Sequence, residues 1–72
     1  MKNISIRDYV INNFKNGTDE EMQQAIETSV KTKEEEALPG MGVFFEILWK
    51  NSNSENRKTI LNTISNNIKN VN

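Results

Sequence analysis

The sequence predicts an all-α protein: a small bundle of about four short helices that forms one domain over residues 1–72. Apolar side chains recur every three or four residues in most segments, which is the period of an amphipathic helix. Residues that cap helix N-termini stand before these segments, and polar or glycine-containing stretches separate them. The pattern therefore predicts helices over residues 6–15, 19–32, 41–50 and 54–69.

Chain length sets how stable such a bundle can be. The chain has 72 residues, of which 35% are hydrophobic, so its core is close to the smallest that can hold a fold together. We expect a marginally stable monomer, which any partner that binds the folded state would stabilise. A homodimer is one way to complete the bundle.

The first two helices carry clear start signals. Ser5 can cap the first helix, and Gly17 can end it, because glycine accepts the left-handed backbone that often follows a helix. Thr18 and Glu21 have the spacing of a capping box at the start of the second helix. The apolar stripe of this second helix is narrow, so we expect it to pack on one side only.

The third helix is the most apolar part of the chain. We expect a break near Leu38, because Pro39 disfavours helical backbone in the residue before it. Six of the seven residues from 43 to 49 are apolar, a composition typical of a helix surrounded by other elements. The predicted centre of the core is Phe44, Ile47, Leu48 and Trp49.

The fourth helix follows a polar linker. Ser52 together with Glu55, or Ser54 alone, can cap it. Its apolar residues again recur at helical spacing.

The third helix also predicts an interaction surface. Its apolar residues exceed what a small bundle can cover, so part of them would meet a second copy of the chain. Residues of this type at helical spacing also suit a core, and both interpretations hold together if the protein dimerises. The predicted interaction residues are Met41, Val43, Phe44, Phe45, Leu48 and Trp49.

Charge is distributed unevenly although the net charge is only −1. Residues 19–36 contain seven acidic side chains and two lysines, whereas both ends of the chain are basic. The net charge argues against a strongly basic nucleic-acid binder. Basic side chains on the terminal helices leave two alternatives, a solvated face or weak, salt-sensitive contacts with DNA phosphates. The candidates for DNA contact are Lys2, Arg7, Lys15, Arg57, Lys58 and Lys69.

The composition excludes most catalytic and metal chemistry. The chain has no cysteine and no histidine, so it has no thiolate nucleophile, no imidazole base and neither of these metal ligands. We therefore predict no catalytic residues, no metal, no cofactor and no small-molecule substrate. The longest apolar run is interrupted at Glu46, far short of a membrane span, and no membrane partner is expected.

One segment resembles a known family. Residues 38–51 read LPGMGVFFEILWKN, which resembles the signature of the small acid-soluble spore protein I family of endospore-forming bacteria. The resemblance extends to the capped helices on both sides and to the overall length. It implies a minor, non-enzymatic protein made in the forespore cytoplasm and kept in the spore core. It does not imply DNA coating, because the pattern of the abundant DNA-saturating spore proteins is missing.

Overall fold

The computed structural model describes residues 5–70 and confirms the all-α prediction. Every regular element in this range is helical, and no strand occurs in it. The elements are α1 (Ile6–Phe14), α2 (Asp19–Thr32), one turn of 3₁₀ helix (Glu35–Ala37), α3 (Leu38–Lys50) and α4 (Ser54–Lys69).

The predicted caps of the first two helices are present. The Ser5 Oγ accepts a hydrogen bond of 3.1 Å from the backbone N–H of Asp8. At α2, the Thr18 hydroxyl accepts from the Glu21 N–H and the Glu21 carboxylate accepts from the Thr18 N–H, both at 3.1 Å. Each bond satisfies an N–H group that the helix itself leaves without a partner.

The left-handed residue lies after α2 and not after α1. Gly17 does not have a positive φ, so the prediction that it provides a left-handed C-cap is wrong. Helix α1 ends instead in an ordinary turn, in which the Gly17 N–H donates to the Phe14 carbonyl at 3.1 Å. Lys33, with φ 56° and ψ 32°, ends α2 and reverses the chain toward α3.

Helix α3 starts at Leu38, three residues before the predicted start at position 41. Pro39 lies in its first turn, where the missing N–H of proline would have no helical acceptor, so proline opens the helix instead of breaking it. The break that we expected near Leu38 falls earlier, at Lys33 and Glu34, before the 3₁₀ turn.

The cap of α4 also differs from the prediction. Asn53 is the N-cap, and its side-chain oxygen accepts from the Asn56 N–H at 2.8 Å. Ser52 instead donates its hydroxyl to the Leu48 carbonyl at 2.6 Å, and Ser54 is the first residue of the helix. The serine therefore closes α3 rather than opening α4.

The tightest packing lies where α1 contacts α3. Val10 and Val43 are 7% and 6% exposed and are the buried hydrophobic residues of the described chain. Gly40 faces Val10, since a Cβ atom at Gly40 would lie 3.8 Å from the Val10 Cγ2. Phe14 and Phe44 meet edge to face, with ring centroids 5.4 Å apart. Two valines and a glycine thus let the two helices approach closely.

The predicted core centre is therefore only partly correct. Phe44 and Trp49 are half-buried, but Ile47 and Leu48 are exposed. Helix α3 packs on α1 and α2 over one part of its circumference, which leaves Ile47 and Leu48 exposed.

Helix α4 packs on the rest of the chain mainly at its first turns. The Cα radius of gyration is 14.1 Å, compared with about 11 Å for a compact domain of this length. The four helices form an open arrangement with little interior.

Candidate interaction surface

An apolar groove lies between α1, α2 and α3. Its volume is about 550 Å³, and it is open to solvent. Lys15, at its edge, is the one charged residue among those that line it. We refer to this surface as the groove; its lining residues are Val10, Ile11, Phe14, Lys15, Met22, Ile26, Met41, Phe44, Phe45, Ile47 and Leu48.

Helix α3 forms the floor of the groove because its apolar residues follow helical spacing. Met41, Phe44 and Leu48 lie three or four residues apart and so share one face. Leu48 is 50% exposed, although leucine is usually among the most buried residue types. Helices α1 and α2 form the walls.

The groove contains four of the six predicted interaction residues: Met41, Phe44, Phe45 and Leu48. Val43 lies away from it and is buried in the α1–α3 contact. Trp49 lies on the side of α3 that faces α4.

Sequence reasoning missed the contributions of α1, α2 and Ile47 to the groove. The signal was present in the apolar stripes of these helices, but which stripes share a groove depends on how the helices pack. The missed lining residues are Val10, Ile11, Phe14, Lys15, Met22, Ile26 and Ile47.

Arg57 joins the first turns of α4 to the end of α3. Its Nε and Nη2 atoms donate hydrogen bonds of 3.0 and 2.8 Å to the Trp49 carbonyl. Its guanidinium carbon also lies 4.9 Å from the centroid of the Trp49 ring, within cation–π range. Phe45 stacks on the same ring, with centroids 5.9 Å apart. The Trp49 carbonyl, which also accepts from the Ser52 N–H at 3.2 Å, thus ties α4 to the C-terminus of α3 through Arg57.

Arg7 and Glu46 form an ion pair between α1 and α3. The Arg7 Nε donates to Oε1 of Glu46 at 2.6 Å, and its Nη2 donates to Oε2 at 3.0 Å. The hydrogen bond from Arg7 lowers the pKa of Glu46; desolvation opposes this shift, and the positive charges of Arg7 and Lys50 add smaller effects in the same direction as the hydrogen bond. The same hydrogen bond raises the pKa of Arg7. Both side chains are solvated, so the pair is a surface contact.

Two of the residues predicted for DNA contact are engaged within the described structure. Arg7 is paired with Glu46, and Arg57 is engaged with Trp49. Helix α1 packs on α3, while α4 meets the end of α3, so the two basic helices are not packed as neighbours. Lys15, Lys58 and Lys69 are exposed, and Lys2 lies outside the described residues.

The described residues offer no metal centre and no membrane span. Within residues 5–70, no three acidic side chains come together in a way that could hold a metal ion. None of the helices in this range combines the length and apolar character needed to cross a bilayer.

Comparison with known proteins identifies the family. A family model described as "Small, acid-soluble spore protein I" matches residues 4–68. The chain belongs to this family. It is 35% identical over 68 residues to the small, acid-soluble spore protein I of Bacillus cytotoxicus, covering 94% of this chain and 97% of the relative. The Geobacillus kaustophilus protein of the same name is 32% identical over 66 residues, covering 92% of this chain and 96% of the relative.

Membership of the small, acid-soluble spore protein I family confirms the resemblance found in the sequence. The matched relatives are named as spore proteins and not as enzymes. No solved structure matches the chain. Since the family match runs from position 4 to position 68, it covers both the groove and nearly all of α4.

Proposed function

We propose that this protein is a non-enzymatic component of the spore core, made in the forespore cytoplasm, and that it acts by associating with further copies of itself. The family supports a role in the spore. The observation that carries the self-association is the groove, an open apolar surface to which three helices contribute.

An uncovered groove of this kind is costly in water. Ile11, Ile47 and Leu48 are about half exposed in it, and covering the part of each that remains open would contribute about 1 kcal/mol. An apolar groove between helices is the kind of surface that receives the apolar face of another helix. The buried core of the described chain holds two valines, so association would add a larger share of the folded state's stability here than in a protein with a large core.

DNA association is the alternative, and the side-chain geometry supports it less. Two of its six candidate residues already have partners within the chain, which removes the arginines suited to bidentate phosphate contacts. The exposed lysines that remain would give weak binding with a steep salt dependence.

Sedimentation equilibrium over a range of concentrations tests the proposal. The parent protein is expected to form dimers at micromolar concentration. Leu48→Gln is expected to weaken the dimer by at least tenfold, because burial of a leucine is lost in both copies. Leu38→Gln is the matched control, since Leu38 is 59% exposed but does not line the groove. A parent protein that stays monomeric at hundreds of micromolar would contradict self-association.

Fluorescence anisotropy with a duplex tests the alternative. Binding at about 50 mM salt that falls by orders of magnitude at about 200 mM would favour the DNA hypothesis. No binding at the lower salt concentration would end it.

A further inference from the structure

We propose that the groove binds helix α4 of a second copy, with Leu61, Ile64 and Ile68 of α4 facing the groove. The second copy receives α4 of the first in the same way. This inference rests on the proposed self-association and specifies its geometry, a helix-in-groove contact made twice.

The first argument is that α4 has an apolar stripe without cover in its own chain. Leu61, Ile64 and Ile68 are spaced by three and four residues and therefore share one face. All three are exposed, and Ile68 is 66% exposed. Leu61 borders a cleft with Phe45 of α3, whereas Ile64 and Ile68 do not line that cleft.

The second argument is a match of length. Ile68 lies seven positions after Leu61, so the stripe is about 10.5 Å long along the helix axis. The groove floor from Met41 to Leu48 also spans seven residues of α3 and has the same length. One helix can therefore cover the other along its whole apolar face.

The third argument is charge complementarity at the edges. On α2, Asp19 lies about 60° around the helix from the groove residue Met22, and Glu27 lies further round on the same side. The same rotation places the lysines of α4 beside Leu61, on one flank of the apolar stripe. The α2 edge of the groove is thus acidic and can face the basic edge of the incoming helix, while Lys15 lies at the α1 edge. The lysines of α4 are Lys58 and Lys69.

The fourth argument is the amount of surface available. The chain exposes 6535 Å², whereas a compact monomer of 8.3 kDa exposes about 4,600 Å². The excess is larger than the roughly 800 Å² per partner that a stable interface buries. If each copy placed its α4 in the groove of the other, part of this excess surface would be buried in two equivalent contacts.

The chain's own α4 is held on a different side of α3. Arg57 binds the Trp49 carbonyl, and Trp49 lies about a quarter turn around α3 from the centre of the groove floor. In this arrangement the groove of the same chain remains open.

Two groups of variants test the inference by sedimentation equilibrium. A chain with Ile64→Gln and Ile68→Gln is expected to lose the dimer as Leu48→Gln does, with at least tenfold weaker association. Leu38→Gln again serves as the control, because Leu38 is 59% exposed and does not line the groove. Circular dichroism shows whether each variant keeps the parent's helix content.

Mixing the two defective chains gives the decisive result. The Leu48→Gln chain has an intact α4, and the Ile64→Gln, Ile68→Gln chain has an intact groove, so their mixture can form one of the two contacts. We expect the mixture to form dimers at concentrations where each variant alone is monomeric. A mixture that stays monomeric would overturn the inference, as would binding of α4 to the groove of its own chain.

The outcomes separate this inference from the function on which it rests. If the α4 variant dimerises like the parent while Leu48→Gln does not, copies associate through the groove without α4, and only this inference fails. If the parent never associates, the proposed function fails as well. In a chain with Lys58→Gln and Lys69→Gln, the dimer dissociation constant should depend less on salt concentration than it does in the parent. An unchanged salt dependence would contradict the charge argument.

Discussion

The α1–α3 contact and helix α4 differ in how they are held. Where α1 meets α3, Val10 and Val43 are buried, Gly40 allows close approach, and an ion pair spans the two helices. Helix α4 is the longest helix of the described chain, yet its main anchor is the bond from Arg57 to the end of α3.

The difference shows that an amphipathic pattern determines which face of a helix is apolar but not what covers that face. Both regions carry caps and helical spacing, and only one of them is packed. Stability within a single chain is therefore expected to reside in the α1–α3 contact, and α4 is expected to depend more on its surroundings.

The largest expected effect is the loss of a buried valine. Val43→Ala removes two buried methyl groups and leaves space between α1 and α3, so it should lower the free energy of unfolding by about 2 kcal/mol. Val30→Ala, the same substitution at an exposed position of α2, should change it by no more than about 0.5 kcal/mol. Urea unfolding followed by circular dichroism measures both, and equal effects would remove the distinction between packed and open regions.

The next effect concerns the anchor of α4. Arg57→Lys keeps the charge but loses the two-nitrogen contact with the Trp49 carbonyl, which should weaken the docking of α4 by about 1–2 kcal/mol. Trp49 is the single tryptophan of the chain, so its fluorescence reports the change directly. Lys58→Arg, one residue further along, is the control; an unchanged Trp49 spectrum in Arg57→Lys would show that the anchor is not Arg57.

A smaller effect, of opposite sign, is expected in the second turn of α3. Gly42 lies within this helix, and a Cβ atom there would meet nothing within 4 Å. Gly42→Ala should therefore raise the free energy of unfolding by about 0.5–1 kcal/mol, because alanine restricts the unfolded chain and favours the helix. Thermal unfolding measures the gain, and a lower midpoint would mean that the α1–α3 region needs this glycine.

The smallest effect is the pH dependence of the ion pair. Because Arg7 lowers the pKa of Glu46 in the folded state, the stability from this pair is present above the ordinary pKa of glutamate. It is lost as the pH falls through the lowered pKa of Glu46. Glu46→Gln should flatten the dependence of the urea midpoint on pH in that acidic window, whereas Glu36→Gln, an exposed carboxylate without this partner, should not. Identical profiles for parent and Glu46→Gln would show that the pair contributes nothing.

Local features of the fold could be predicted from the sequence. The bounds of α2 and α4 and the caps at Ser5 and Thr18 agree with the structure, because a cap and its helix involve only neighbouring residues. The start of α3 is predicted too late from the sequence. Pro39 suggests a break in a helix, but in the structure it occupies the first turn of α3.

The core could not be predicted in the same way. The side chains of Ile47 and Leu48 are more hydrophobic than that of Val43, yet Val43 is the buried residue of the three. Burial depends on where α1 crosses α3. The contacts of Arg7 with Glu46 and of Arg57 with Trp49 are likewise tertiary, and one of them spans 39 residues. The groove follows from the same packing, so only four of its α3 residues could be recognised in advance: Met41, Phe44, Phe45 and Leu48.

Amide hydrogen exchange at two protein concentrations tests the central claim, that the α1–α3 contact holds in each chain while α4 is covered only by a second copy. We predict that dilution well below the dimer dissociation constant speeds exchange throughout Ser54–Lys69 and leaves the amides around Val43 much less affected. Protection of α4 that equals that of α3 at the lowest concentration would contradict the account.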